Sequence, residues 1–393
     1  MAKYRFGDIC KVLNGRAYKQ NELLASGKYP ILRVGNFFSS DRWYYSDMEL
    51  PEDKYCDYED LLFAWSASFG PKIWDGEKVI YHYHIWKLIP NDDIADKWYL
   101  YYWLRHSVNR LTAGTHGSVM AHMTKGDMEN QSIELPSLQT QRKISSILRT
   151  IDEKIHNNVA INNNLEQQAQ ALFKSWFVDF EPFGGVQPSE MQFIPLQELC
   201  KVVTKGTTPT TLGKSFTSSG INFIKAESIL NNHSIDSSKF AFIDEETNAL
   251  LKRSVIKVND IIFTIAGTLG RFAMVDNSVL PANTNQAVAI IRPDETKITP
   301  AYLYSFFIGN WHNEYYSKRI QQAVQANLSL TTIKSLPIAV LNNTTMSNYD
   351  KLVSPLFVLM KNNEEENRRL SKLRDALLPK LMSGELDVSD IDL

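Results

Sequence analysis

The chain carries one pattern twice, and this duplication restricts its fold more than any other feature. Phe6-Gly7-Asp8-Ile9-Cys10-Lys11-Val12 returns in character as Leu196-Gln197-Glu198-Leu199-Cys200-Lys201-Val202. Tyr29-Pro30-Ile31-Leu32-Arg33-Val34 is matched by Ile221-Asn222-Phe223-Ile224-Lys225-Ala226, and Asp60-Leu61-Leu62-Phe63 by Asp260-Ile261-Ile262-Phe263. Gly70 falls opposite Gly270, and Tyr99-Leu100 opposite Tyr302-Leu303. The offset drifts from about 190 to about 205, as when surface loops change length on a kept scaffold. Two copies are too few for a solenoid, so this is a tandem duplication.

Each copy divides in two. Residues 1–137 and 193–343 hold short runs of β-branched and aromatic residues between turn residues, such as Ile80 to Trp86 and Ala287 to Ile291. These predict two mainly β globular domains with a few helices. Residues 138–177 and 344–383 predict one long helix each. Residues 178–192, with Pro182, Gly184, Gly185 and Pro188, read as a linker, and residues 384–393 as an acidic tail. The fold class is α+β, an internal repeat with pseudo-two-fold character.

The helices carry a coiled-coil seam. Spacings of four and three pick out Ile144, Leu148, Ile151, Ile155, Asn158, Asn162, Leu165, Ala169, Leu172 and Trp176. A shift of 205 gives Tyr349, Val353, Leu356, Met360, Asn363, Asn367, Leu370, Arg374, Leu377 and Leu381. Both seams are apolar at the ends and place asparagines at the same central positions, Asn158 and Asn162, Asn363 and Asn367. Antiparallel packing with amides bonded at the centre would fix register at some cost in stability; a solvated polar face is the alternative. Pro355 predicts a kink or a delayed start in the second helix. About 36 residues make a helix of about 54 Å, and reading heads on one face of B-DNA must stand about 34 Å apart or a multiple of that. Such a pair can serve as a ruler between two short words, or simply as a scaffold.

Composition is that of a soluble globular protein, with 44% hydrophobic and 22% charged residues. No long apolar stretch or secretory leader is legible, and Cys10, Cys56 and Cys200 lack metal-ligand spacing, so a cytoplasmic protein with buried thiols is predicted. The net charge of −2 excludes a chain that is basic throughout, so any phosphate-binding surface must be local. Catalytic motifs do not assemble. Gly206 to Ser215 has six residues between its glycines where a nucleotide loop needs four, and Pro209 removes a donor. Glu52-Asp53-Lys54 has a nuclease-like spacing with no match in the second copy. His82 and His84 alternate with Tyr81 and Tyr83, which predicts one strand face bearing both imidazoles.

Several segments in order, present twice, resemble the Type I restriction-modification DNA-specificity subunit family over essentially the whole chain. They include Asn14-Gly15-Arg16-Ala17-Tyr18-Lys19 and Lys205-Gly206-Thr207-Thr208-Pro209, Tyr29 to Asn36, and Gly117 to Lys125 leading into Ile133-Glu134-Leu135-Pro136. Gln141-Arg142-Lys143-Ile144 opens the first helix, and Phe173 to Pro182 closes the half. Leu377 to Leu386 ends the second helix, whose start at Val340-Leu341-Asn342-Asn343 lacks the Pro-Leu-x-x-Gln signal of Leu135 to Gln141. The resemblance implies two target-recognition domains joined by two spacer helices, and no catalysis in this chain. It further implies binding to double-stranded DNA, to two methylation (M) subunits and to motor-nuclease (R) subunits. S-adenosylmethionine, ATP and Mg would reside in those partners. A self-contained methyltransferase or nuclease, and a coiled-coil assembly scaffold, are the competing classes.

Base readout uses forked Arg, Lys, Asn or Gln side chains, while Ser, Thr and backbone N–H groups hold phosphates. Equivalent loop positions give the candidates. In the first copy these are Tyr18, Lys19, Arg33, Asn36, Lys72 and His82; in the second, Lys205, Thr207, Thr208, Lys225, Arg271, Asn285 and Gln286. Thr124 and Ser329 read as helix caps.

Overall fold

A computed structural model describes residues 1–38, 42–66, 68–112, 123–320, 327–389 and 391. The segment from Gly117 to His122 lies outside the described residues. The chain forms two compact units, Met1–His156 with Glu366–Leu393, and Asn157–Glu365. Each long helix therefore begins in one unit and ends in the other.

In the first unit, Cys10–Asn14, Ile85–Pro90, Leu61–Ser66 and Ser68–Ile73 form an antiparallel sheet in that order. A second sheet runs Tyr44–Ser46, Tyr29–Leu32, Val79–Tyr81, Tyr55–Cys56, with the two middle strands parallel. Ala2–Arg5 pairs with Ser132–Leu135 beside the start of the first long helix. The second unit repeats this arrangement. Cys200–Lys205, Val288–Pro293, Ile261–Thr264 and Phe272–Met274 form one sheet, Ala241–Ile243, Ile221–Ile224 and Ala282–Thr284 the other, and Gln192–Pro195 pairs with Pro337–Val340.

The apolar run after each repeated aspartate is buried on both faces. Its alternation sends Leu61 and Phe63 into the core against the long helices, and Leu62 and Ala64 into the core between the sheets. Ile261 and Phe263, against Ile262, are sorted in the same way. The aspartate itself closes the preceding turn: Asp60 accepts from the Asp57 N–H and Asp260 from the Lys257 N–H, each at 2.7 Å. Lys87 neutralises the first at 2.6 Å, and Arg292 binds the fully buried Asp260 through two nitrogens at 2.7 Å.

Two expectations for the heads change. The run from Ile80 to Trp86 is not one strand: Val79–Tyr81 belongs to one sheet, Ile85–Pro90 to the other, and residues 82–84 form the turn between them. His82 and His84 therefore do not share a strand face. The glycines also shift by one position. Gly70 pairs with Ala64 within an extended hairpin, whereas the position opposite Thr264 is taken by Arg271. Gly270 precedes it in a tight turn at φ 81°, a conformation that suits glycine.

The long helices span Leu138–Phe177 and Asn343–Ser383, each unbroken, so Pro355 neither delays nor interrupts the second. In the first, Gln141 is buried and ties the helix start to the head, donating to the Ile94 and Pro136 carbonyls and accepting from the Asp96 N–H. Asn342 takes over at the second, accepting from the Thr345 N–H at 2.9 Å. Within each unit the two helical segments run antiparallel. In the second unit Asn363 donates to the Asn162 side chain at 2.8 Å, Asn162 donates to the Met360 carbonyl at 3.0 Å, and Tyr349 packs on Trp176 and Phe177. Asn158 is buried beside them, and Asn367 is half-buried in the first unit. In the first unit Arg374 meets Asp152 and Lys154 meets Glu366. At the Phe177 end the buried face turns by one residue: Phe173 and Phe177 are covered more fully than Leu172 and Trp176, because they meet Tyr302 and Tyr349.

Thr124 and Ser329 do cap short helices, accepting from the Asp127 and Thr332 N–H groups. All three cysteines are free. Cys10 and Cys56 are buried and Cys200 half-buried, and burial pushes Cys10 and Cys200 up to about 12.

Candidate nucleic-acid interface

Each head gathers several of its candidate residues around one pinned turn, at the carboxyl ends of its parallel strands. In the first head the Gly15 N–H donates to the Ile85 carbonyl (3.3 Å), Arg16 to Tyr81 (3.0 Å), Ile85 to His82 (2.9 Å) and Trp65 to His84 (3.1 Å). In the second the same bonds recur from Gly206 to Val288 (3.4 Å), Thr207 to Thr284 (3.2 Å), Val288 to Asn285 (3.3 Å) and Ile265 to Ala287 (2.8 Å). The opening glycines are there for want of room. A Cβ on Gly15 would stand 2.4 Å from the Tyr81 and His82 carbonyl oxygens, and one on Gly206 would stand 1.9 Å from that of Thr284. The looser likeness of a phosphate-binding loop at Gly206 thus resolves into a strand crossing.

Leu32 pairs with Tyr81 and Ile224 with Thr284 on the parallel strands, so Arg33 and Lys225 emerge beside His82 and Asn285. The first head gathers Tyr18, Arg33 and His82, together with Arg16, which the sequence reading missed. The Arg16 guanidinium lies 5.1 Å from the Tyr18 ring, and Tyr18 stacks on His82 at 6.3 Å. Rings then follow in contact: His82 to Tyr83 at 4.5 Å, Tyr83 to His84 at 4.0 Å, and His84 to Trp65 at 5.2 Å, with the Trp65 indole donating to the Tyr83 carbonyl. Burial, with smaller contributions from His84 and Arg33, lowers His82 to about 4, so its ring is neutral at physiological pH. Lys19 is exposed at the start of the next turn, where its N–H bonds Glu22 at 2.8 Å. Arg33 lies 5.2 Å from the Tyr44 ring, as does Arg42. Asn36, in the short helix Val34–Phe38, accepts from the Arg33 N–H and donates to the Arg42 carbonyl.

The second head gathers Thr207, Thr208, Asn285 and Gln286, with Arg253 as a further member. Arg253 donates to the Thr207 hydroxyl at 3.3 Å, and the Thr208 hydroxyl donates to the exposed Gln286 carboxamide. Asn285 accepts from the Ala287 N–H at 3.1 Å. Lys205 is exposed at the end of its strand, and its amine makes no ion pair among the described residues. Arg253 escaped notice because it lies far along the chain, with no repeat partner to flag it.

Two candidates are placed elsewhere. Lys72 lies 5.3 Å from the Trp74 ring and 3.4 Å from Asp75, in a cleft of about 400 Å³ that also takes in Trp98 and Arg149. Its side chain is engaged there and not at the turn. Arg271 donates to the Ile229 carbonyl at 3.2 Å and its N–H bonds the Thr264 hydroxyl, so it anchors a loop.

The low net charge has a local counterpart. Arg16 is held by Glu22 through two bonds of 2.8 and 2.9 Å, which hold Glu22 at about 2, and Lys225 pairs with Glu227 at 2.8 Å. The cations are thus oriented and partly neutralised, a surface suited to directional hydrogen bonds more than to diffuse attraction. Among the described residues no group of three or more His, Cys, Asp or Glu side chains could hold a metal ion, and no helix is long and apolar enough to cross a membrane.

Each unit thus holds a β head with antiparallel helical segments and a pinned polar turn. The model of the Type I restriction modification DNA specificity domain matches residues 1–167 and again 188–340, and the chain belongs to that family. It is similar to the Type I restriction enzyme MjaIX specificity subunit of Methanocaldococcus jannaschii, 26% identical over 77% of this chain and 72% of that one. It is likewise similar to the EcoBI specificity subunit of Escherichia coli, 22% identical over 96% of this chain and 84% of that one. The crystal structure of the Type I S subunit from M. genitalium shares the fold, with a TM-score of 0.60 at 17% identity over 97% of this chain and 95% of that one. The chain is a non-catalytic DNA-specificity subunit, and a self-contained methyltransferase or nuclease is not favoured.

Proposed function

We propose that each head reads one half of a bipartite, asymmetric DNA site, while the two helices set the spacing and dock two methylation subunits. One observation carries this reading: the two turns share a backbone frame but offer different side chains, so one architecture presents two different words. In this proposal Arg16, Tyr18, Lys19, Arg33 and His82 serve the first head. Lys205, Thr207, Thr208, Lys225, Arg253, Asn285 and Gln286 serve the second. S-adenosylmethionine resides in the methylation partners, and ATP and Mg serve the motor-nuclease partners, in the cytoplasm. Lys72 and Arg271 support the heads through packing and loop anchoring. Exchanging residues 1–137 for the first head of another family member tests the reading. Mapping methylated adenines in cells carrying the chimera with its methylation subunit is expected to show one half of the site altered and the other kept. Alteration of both halves would refute modular reading.

A further inference from the structure

We propose that three residues at the tip of each turn, His82-Tyr83-His84 in the first head and Asn285-Gln286-Ala287 in the second, choose the bases of each half-site. This rests on the DNA-reading function above and narrows it to one short segment per head. The same four backbone bonds fix both turns, and a glycine without room for a Cβ backs each. Around them Arg33 and Lys225, and Asp60 and Asp260, are alike in chemistry, while Arg16 and Thr207 hold equivalent places in the frame with different side chains. The tip is where the frame stays and the chemistry changes. A rigid backbone carrying exchangeable side chains is what a reader of different words requires.

The chemistry differs in kind. Gln286 is exposed, and the Thr208 hydroxyl orients its carboxamide oxygen while the amide nitrogen stays available. Asn285 uses its oxygen on the Ala287 N–H, which leaves its amide nitrogen to donate. A carboxamide fork matches the N7 acceptor and N6 donor of adenine in the major groove. The first tip offers the His82 imidazole, whose Nδ1 accepts from the His84 N–H at 3.4 Å and whose Nε2–H is left to donate, next to the exposed ring of Tyr83, an apolar surface of the kind that meets a thymine methyl.

The test uses the full chain with its cognate methylation subunit. In Gln286→Glu the fork becomes acceptor-only, the pattern that suits the cytosine N4 donor. Binding to the original site is expected to fall about tenfold or more. The methylated sequence should change at one position, an adenine in the half read by the second head. The triple variant His82→Asn, Tyr83→Gln, His84→Ala should alter only the other half. If Gln286→Glu leaves affinity and methylated sequence as they were, the inference is overturned. The exposed Gln286 makes this variant decisive even if thermal melting shows the triple variant unfolded. Should the exchange of residues 1–137 change the site while both tip variants do not, DNA reading stands and only the tip assignment falls. An exchange without effect would remove the DNA-reading proposal itself.

Discussion

His312 is completely buried in the second unit, among the rings of Phe263, Phe272, Phe306, Phe307 and Tyr316. Neither ring nitrogen finds a hydrogen-bond partner among the described residues. Burial, with His233 adding to it, pushes its pKa down to about 3. The folded state therefore binds fewer protons than the unfolded chain, whose histidine titrates near 6.5. Stability from this source is complete above pH 6.5 and falls as pH drops towards 3, by at most about 1.4 kcal/mol per pH unit. Urea unfolding at pH 7.5 and pH 5 should show that loss in the native chain, and His312→Leu should reduce it; equal loss in both would contradict the assignment. Nothing in the sequence singled out this histidine, since its enclosure is completed by Phe263 and Phe272, which lie on strands distant in the chain. The pinned turns were only half legible for a related reason. Gly15 and Gly206 could be aligned by eye, but the carbonyl oxygens that exclude a Cβ belong to strands some 65 to 80 residues away.

At the scale of elements, the helix seam was the most legible part, because a repeat of four and three needs no knowledge of distant partners. Arg374 is the one charged side chain among the seam positions. Asp152 explains that residue: it accepts from Arg374 at 2.7 Å and from the Tyr102 hydroxyl at 2.8 Å, and it pairs with Arg105 at 3.5 Å. Asp152 stands just off the seam, so its pairing emerges only once the helices are in antiparallel register. The same place in the second unit is apolar. A shift of 205 carries Asp152 to Phe357, which packs edge-on to Tyr304 at 5.0 Å, and matches Arg374 with the buried Ala169. Asp152→Ala removes the acceptor of the Tyr102 hydroxyl and leaves Arg374 with Asp375 alone, and should cost the first unit about 1–3 kcal/mol. Thermal unfolding of that variant beside Arg374→Ala and the double variant would measure the coupling; additive effects would mean the pair contributes nothing.

For the whole molecule, duplication predicted two heads and two helices but not the way the units are drawn. The first is discontinuous in sequence. Leu378, Leu381, Met382 and Val388 belong to the core built by residues 1–156, and the Lys143 amine donates to the Ser389 carbonyl. Residues 384–393 read as an acidic tail because charge dominates them, and one buried valine leaves no periodic trace. Residues 157–365 expressed alone should unfold cooperatively on heating. Residues 1–156 alone should not, until the peptide 366–393 is supplied; a cooperative transition without it would contradict this arrangement. The division also sets an order of synthesis. The first unit is begun at once, yet its closing segment follows roughly 210 residues later, a wait of about 10–40 s at ordinary ribosome speeds. Meanwhile the second unit emerges whole and can close. The half that is translated first is thus completed last, and while it waits the side chains that Leu378, Leu381 and Met382 will cover are left for a chaperone to guard.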